Sequence, residues 1–440
     1  MRAATIFLCA AVASVALAGD LLYPLKVGPT KRYLVDRNNH PVLIHGDTAW
    51  SLITAVTKAE AEQYLENRRQ KGFNAIMVNL IEHKFNGPAT REGEQPFSAP
   101  GDFSTPNEKY FAHADWVIRK AAEKGIAVFL FPLYLGYEGT DEGWWEETLA
   151  NGPLACGDYG RYVGRRYKDF DNIVWVMGGD RNPGRAWEHT DAVAVGIEEE
   201  DPRHLFTAHA APERSAADEY ARGSWLDLNT TYTYQIVHRR LRRDFSRQPV
   251  MPFVLMESTY EGEHNASAVQ IRRQAYWALL CGAGGQFFGN RPIWLFDPGW
   301  QAAMDAEGSR GMVHLRALFL SRPWHELVPD DKHQVVVSGL GEFNGLDYLT
   351  AARTRDGGTL IAYVPSSRQV MVDMTQISGE RAVAWWYSPR TGEATPAGEF
   401  LARGRQTFLP PGSADWVLVM DDASRNLPAP GSPATANTKQ

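Results

Sequence analysis

From residue 33 to residue 320 short apolar runs alternate with longer amphipathic segments, and this change of period predicts strands alternating with helices. The strand candidates are 42–47, 74–80, 126–131, 172–180, 204–209, 226–232, 250–257 and 284–290. Helices are expected near 58–71, behind the N-cap Thr57, and near 107–124, stopped by Gly125. Further helices are expected near 154–167, 185–199, 234–245, 266–281 and 311–320, and a Gly- and Pro-rich loop over 81–106. Eight strands, each followed by a helix or a long loop, predict a (β/α)8 barrel over about residues 25–322. A doubly wound open sheet is the rival, but no Gly-rich dinucleotide fingerprint follows the first strand.

After Pro323 the pattern shortens to alternating segments separated by turns such as Asp356-Gly357-Gly358, which predicts a small antiparallel β-sandwich over 323–421. Its junction with the barrel is short and aromatic, without a Gly/Ser spacer, so firm packing is expected. Residues 422–440 are poor in apolar side chains and read as a disordered tail. At the other end Arg2, the apolar run 3–17 and Ala16-Leu17-Ala18 read as a signal peptide of 18 residues, and the expected location is secreted or periplasmic, with no membrane anchor. The remaining cysteines, Cys156 and Cys281, are expected free and buried; Asn229 and Asn265 stand in glycosylation sequons.

In a barrel the carboxyl ends of all eight strands face one mouth. Three of them end on an acid: the first at Asp47, the run to Gly178-Gly179-Asp180, and the run to Glu257, of which the last two lie across the mouth on strands four and seven. Two carboxylates across one cleft are what glycosidic bond cleavage requires, one to protonate the leaving oxygen and one to attack or to activate water. Asp180 and Glu257 are therefore the candidate catalytic pair, with Glu261 as the competitor for Glu257. Asp47, Trp50, Asn79, His83, Tyr134, His209, Tyr232, Tyr234, Asn290 and Trp294 are candidates for holding sugar. Fourteen Trp and 17 Tyr in 440 residues suit stacking on sugar faces.

The net charge of −7, with no long basic run, argues against nucleic acid as a partner. No cofactor or metal is expected, and the partner expected is an oligosaccharide or polysaccharide; the oligomeric state is open. A metal-dependent hydrolase on the same barrel would draw on His45 and Asp47, a thin ligand set. A secreted carbohydrate-binding protein that has lost catalysis is the alternative outside enzymes.

Several stretches together resemble the apiosidase-like glycoside hydrolases, family 140 and its relatives. These are His45-Gly-Asp-Thr-Ala-Trp-Ser-Leu52, the Gly178–Asp180 turn, Glu257-Ser-Thr-Tyr-Glu261, Gly284-Gly-Gln-Phe-Phe-Gly-Asn290 with Ile293-Trp294, and 384–392 with 415–419. The likeness covers roughly residues 25–421. It implies a retaining barrel hydrolase with Asp180 as acid/base and Glu257 as nucleophile, followed by a β-domain of collagen-binding type. The activity that the resemblance implies is release of apiose from the pectic polysaccharide rhamnogalacturonan II.

Overall fold

The computed structural model describes residues 23–432. Eight parallel strands are present: β1 Ile44–Thr48, β2 Ala75–Asn79, β3 Ala127–Phe131, β4 Ile173–Gly178, β5 Phe206–His209, β6 Asn229–Tyr232, β7 Phe253–Glu257 and β8 Gly285–Phe288. They run in the order β5-β4-β3-β2-β1-β8-β7-β6, with a short antiparallel strand at Arg214–Ser215 beyond β6. The seam between β5 and β6 is drawn together partly by side chains. Leu228 N–H donates to the Phe206 carbonyl at 3.2 Å, and the Thr207 hydroxyl donates to the Leu228 carbonyl at 2.6 Å. The result is the expected barrel, nearly closed.

The interior follows from period-two alternation. Ile44, Ala75, Met77, Ala127, Phe129, Val174, Val176, Val254, Met256 and Phe287 fill it, while Ile76, Val78, Val128, Leu130, Ile173 and Trp175 face the helices. A small antiparallel sheet of Lys26–Val27, Leu34–Val35 and Pro41–Val42 closes the amino-terminal end, with Leu25, Leu34 and Val42 packed into that interior.

The outer helices are α1 Lys58–Gln70, α2 Glu108–Glu123, α3 Trp145–Tyr167, α4 Trp187–Glu200, α5 Val237–Phe245, α6 Ala268–Leu280 and α7 Glu307–Leu320. Thr57 caps α1 through a reciprocal capping box with Glu60. The span of α3 is two helical segments that meet at Gly152, whose φ of 76° and ψ of 164° are not helical, so the helix expected near 154–167 begins at this break and a short segment from Trp145 precedes it. Cys156 and Cys281 are buried free thiols, as expected. Asn229 is buried within β6 and out of reach of glycosylation, whereas Asn265 lies in a loop.

The carboxyl-terminal region forms two antiparallel sheets, one of six strands and one of three, with Leu360, Ala362, Val372, Phe408, Leu418 and Met420 between them. The other face of the larger sheet presents Ile361, Tyr363, Val417 and Val419 to Tyr276, Leu280 and Leu315 of the barrel helices. Tyr276 and Tyr363 stack at 4.7 Å, and Arg272 of α6 holds Asp415 through two hydrogen bonds of 2.9 and 3.0 Å. The sheet is thus buried on both faces, and the region does not hang from a linker.

The expected disordered tail is corrected as far as residue 432. Strand Trp416–Asp422 already includes its first residue, and Arg322 and Ser321 bind the backbone of Pro428 and Gly431. The hydrogen-bonding partners come from the barrel end, which composition of the tail alone does not reveal. The rest of the tail, and the 1–18 leader, lie outside the described residues. Among the described residues no helix is long and apolar enough to cross a membrane.

Candidate active site

Asp180 follows β4 through a turn that only glycine permits at two positions. Gly178 and Gly179 have φ of 82° and 122°, and a Cβ on them would run into the Tyr220 hydroxyl and the Tyr134 ring respectively. Asp180 itself sits at φ 46°, a conformation that Asp tolerates better than most residues. The turn carries its carboxylate inward under Tyr134, whose hydroxyl donates to Oδ2 at 2.6 Å.

Glu257 reaches the mouth by a different device. Phe253 and Leu255 face the helices and Val254 and Met256 the interior, so plain alternation would turn Glu257 outward. Between β6 and β7 the register slips: Thr231 pairs with Leu255, but Tyr232 pairs with Glu257. The extra residue, Met256, resets the phase as a β-bulge does. Glu257 then accepts hydrogen bonds from Tyr234 at 3.1 Å and from His209 Nε2 at 2.9 Å.

His209, at the end of β5, stands between the two acids. Its Nδ1 accepts the Asp180 backbone N–H at 3.2 Å, which leaves Nε2 as the donor to Glu257 in the neutral ring. One oxygen of each carboxylate and a ring nitrogen of His209 lie within 4.8 Å of one another. Burial and the charge of Glu257 push the Asp180 carboxyl up to about 6, against the opposing pull of His209 and Tyr134. Burial pulls the His209 imidazole down, but its bond to Glu257 and the charges of both carboxylates outweigh this and hold it above its usual value. One acid that carries a proton near neutrality and a second, hydrogen-bonded acid beside it are equipped for general acid catalysis with nucleophilic or base assistance.

An aromatic wall surrounds the pair. Trp50 packs on Tyr134 and His209, and its Nε1 donates to Tyr260 at 3.0 Å. His209 packs on Tyr232, whose hydroxyl donates to Tyr234 at 2.9 Å. Phe85 bridges Tyr134 and Trp294. Asn79 ends β2 on the interior side with both side-chain polar atoms buried and without a protein partner, so it is free to bind hydroxyls.

Three sequence candidates go elsewhere. Asp47 lies on the outer face of β1, where it accepts from Tyr64 at 2.7 Å and pairs with buried Arg68 at 3.2 Å. Period two, counted from the inward Ile44, sends it there. His83 spends its ring nitrogens on the Asp141 carbonyl and Glu147, tying the loop after β2 to the start of α3. Asn290 donates to Glu261 at 3.1 Å, and Glu261 also accepts Gly308 N–H at the start of α7. The same contacts remove Glu261 as a rival to Glu257, since it serves a helix terminus. His45 stacks on Phe73 at 4.6 Å, so the thin metal set proposed with Asp47 faces the helix layer and not the mouth.

Sequence reasoning missed Tyr260, Phe85 and Arg181. Tyr260 and Arg181 adjoin the acid-bearing strand ends, a signal that was available; Phe85 comes from the long loop and gave none. Arg181 is 8% exposed, lies 4.3 Å over the Trp145 ring, and keeps Nε and Nη1 without a partner.

A parallel (β/α)8 barrel with two hydrogen-bonded acids in an aromatic mouth defines a glycoside hydrolase of the TIM-barrel type. The profile described as "Apiosidase-like, catalytic domain" matches residues 29–326, and the chain belongs to that family. Residues 328–421 match "Putative collagen-binding domain of a collagenase". Among solved structures, one titled "Glycoside hydrolase" is 27% identical, with a TM-score of 0.81 over 91% of this chain and 97% of its own. A family 5 glycoside hydrolase from Bacteroides vulgatus is 25% identical, with a TM-score of 0.82 over 92% and 95%. No curated protein sequence matches the chain.

Proposed function

We propose that this glycosidase is a secreted, retaining enzyme that cleaves pectic, apiose-type oligosaccharides of the plant cell wall. Glu257 is the nucleophile and Asp180 the acid/base. The observation that supports the mechanism is the closeness of the acids: one oxygen of each lies within 4.8 Å of the other, which suits the carboxyl spacing of about 5–5.5 Å used for direct attack better than the spacing of about 6.5–9.5 Å that an intervening water needs. Asp180, raised to about 6, donates its proton to the leaving oxygen; Oδ2 already accepts from Tyr134, so the proton rides on Oδ1. Glu257, oriented by His209 and Tyr234, attacks the anomeric carbon, and Asp180 as a carboxylate then activates the water that releases the sugar.

The pectic assignment rests on family membership and on Arg181. Its unpaired guanidinium nitrogens beside Asp180 suit an anionic sugar on the leaving-group side. Asn79, Trp50, Tyr232, Tyr234 and Trp294 hold the sugar at the cleavage point. Secretion rests on the leader 1–18 and is checked by whether the mature amino terminus is Gly19. The activity is tested by incubating the enzyme with rhamnogalacturonan II oligosaccharides and following free apiose by chromatography. Release by the wild type and none by Glu257→Gln is the expected result; no release from any apiose-bearing substrate would overturn the assignment.

A further inference from the structure

At the amino-terminal end of the barrel, opposite the mouth, a shallow cleft opens to solvent where three parts of the chain meet. The small sheet supplies Arg32 and Tyr33, the barrel supplies Phe245 and the glycines before β8, and the carboxyl-terminal region supplies Trp324, His325 and Arg355. Ligand sites favour such junctions. Tyr33, Trp324 and His325 form a three-ring cluster with centroids 5.4 to 5.9 Å apart. Gly282 has φ 89° and lies where a Cβ would strike the Phe245 ring, so the floor is backbone.

The charge in this cleft is unusual for a chain of net charge −7. Arg32 is fixed, with its guanidinium 4.0 Å over Phe245 and Nη1 donating to the Phe245 carbonyl at 2.6 Å. No carboxylate is paired with Arg32 or with Arg355 among the described residues; the acid on the rim, Glu326, lies 3.7 Å from His325. Burial, and then the charge of Arg355, lowers Arg32 from its usual value, so the two cations feel each other. Two guanidinium groups lining one cleft repel each other, an anion bound there relieves the repulsion, and their planar forks match a carboxylate.

We propose that this cleft is a second carbohydrate site, which holds a uronic acid unit with its carboxylate between Arg32 and Arg355 and its ring against Trp324 and Tyr33. The choice of an acidic sugar over a free inorganic anion comes from the aromatic cluster and rests on the proposed action on a pectic polymer. Such a site lets one acidic chain anchor the enzyme at one end of the barrel while the mouth at the other end works on a neighbouring chain.

The test uses full-length Glu257→Gln protein, which binds without turnover, and titration calorimetry with an oligogalacturonide, its carboxyl-reduced neutral counterpart, and inorganic phosphate. Binding of the oligogalacturonide with a stoichiometry above one, weakened by salt and absent for the neutral oligomer, is expected. Arg355→Glu, in an exposed turn, should weaken the second site about tenfold or more. Arg32→Gln should act likewise, and because Arg32 also ties the small sheet to Phe245, Arg355→Glu keeps the test decisive if that variant fails to fold. Unchanged binding in Arg355→Glu, equal binding of the neutral oligomer, or phosphate binding without oligogalacturonide binding would each overturn the proposal. Turnover of a small soluble substrate should be the same in wild type and Arg355→Glu; if neither shows any, the proposed function fails while the binding result still stands.

Discussion

Glu257 accepts its hydrogen bond from His209 at 2.9 Å, while the other nitrogen of the same ring takes the backbone N–H of Asp180 at 3.2 Å. One imidazole therefore sets the position of both acids, and its charge pulls the Asp180 pKa down against burial and the charge of Glu257. Asp180 differs from Glu257 in what else it touches: its Oδ1 is buried without a hydrogen bond, 3.5 Å from His209 Nδ1, whereas both oxygens of Glu257 accept hydrogen bonds. In the proposed mechanism the engaged carboxylate attacks, and the one with an oxygen free of hydrogen bonds carries the proton.

The two acids should fail differently. Glu257→Gln is expected to abolish turnover of every substrate, because no covalent step remains. Asp180→Asn should slow natural substrates by about 10²–10⁴-fold, the usual worth of general acid assistance. The same variant should retain its first step on an aryl glycoside with a good leaving group, which needs no proton. Pre-steady-state release of the aryl group measures that step; equal loss on both substrate types would remove Asp180 from the acid role.

The pH profile follows from the same geometry. With its pKa near 6, Asp180 is protonated below that value, so kcat/KM should fall on the alkaline side as pH rises through about 6. The Tyr134 hydroxyl lowers that pKa by donating to Oδ2, so Tyr134→Phe should move the falling limb to higher pH. His209→Asn, which removes a charge that also lowers it, should move the limb the same way and reduce kcat more than it alters KM. A limb that stays in place in both variants would mean that another group governs it.

Stability should depend on pH through a group the reaction does not use. Glu82 is 2% exposed, receives the Ser51 and Thr54 hydroxyls, and is pushed by burial to about 7. Its folded pKa lies above the unfolded value near 4.3, so its contribution is complete below that value and is lost as pH rises through 7. The Tm should decline between about pH 4.5 and 7.5, and in Glu82→Gln this decline should be shallower. Differential scanning calorimetry across that range decides it; identical slopes would clear Glu82 of the effect.

The attachment of the carboxyl-terminal region is testable at a single residue. Asp415 is 2% exposed and holds Arg272 by two hydrogen bonds while accepting a third from Tyr363. Asp415→Ala leaves a buried guanidinium with only Glu307 at its edge, an error that costs about 3–5 kcal/mol where a buried pair is broken. Denaturant titration should show that loss, and protease sensitivity should rise at the contact between the barrel and the larger sheet. A change below about 1 kcal/mol would mean that the stacked tyrosines and the apolar contacts carry the interface alone.

The strands and their order of acids were legible because both rest on local pattern: apolar runs of five or six residues, glycine at the breaks, helices with readable caps. Side-chain direction was less so. A strand ending on Asp47 suggests the mouth, but Ile44, three residues before it, faces the interior and period two then turns Asp47 outward, where Tyr64 and Arg68, four apart on α1, are its partners. Glu257 stands at the mouth, yet alternation alone turns it away, and nothing in the residues around Met256 announces the bulge. Phe85 and the docking of residues 423–432 depend on surfaces made by distant segments, which no window of sequence contains.

The stereochemical outcome is the last consequence of the spacing between the acids. One oxygen of each acid lies within 4.8 Å of the other, and in the proposed retaining mechanism this closeness favours attack by the Glu257 carboxylate itself over attack by an intervening water. Two displacements at one carbon restore its configuration. Proton NMR recorded in the first minutes of hydrolysis should therefore show the anomer of the substrate before mutarotation mixes the two forms. A fluorinated glycoside with a good leaving group should, in addition, trap an ester on Glu257 that mass spectrometry of the peptide around residues 250–262 can find. Initial appearance of the opposite anomer, together with no trapped ester, would make Glu257 a base that activates water and would require the two carboxylates to move apart when substrate binds.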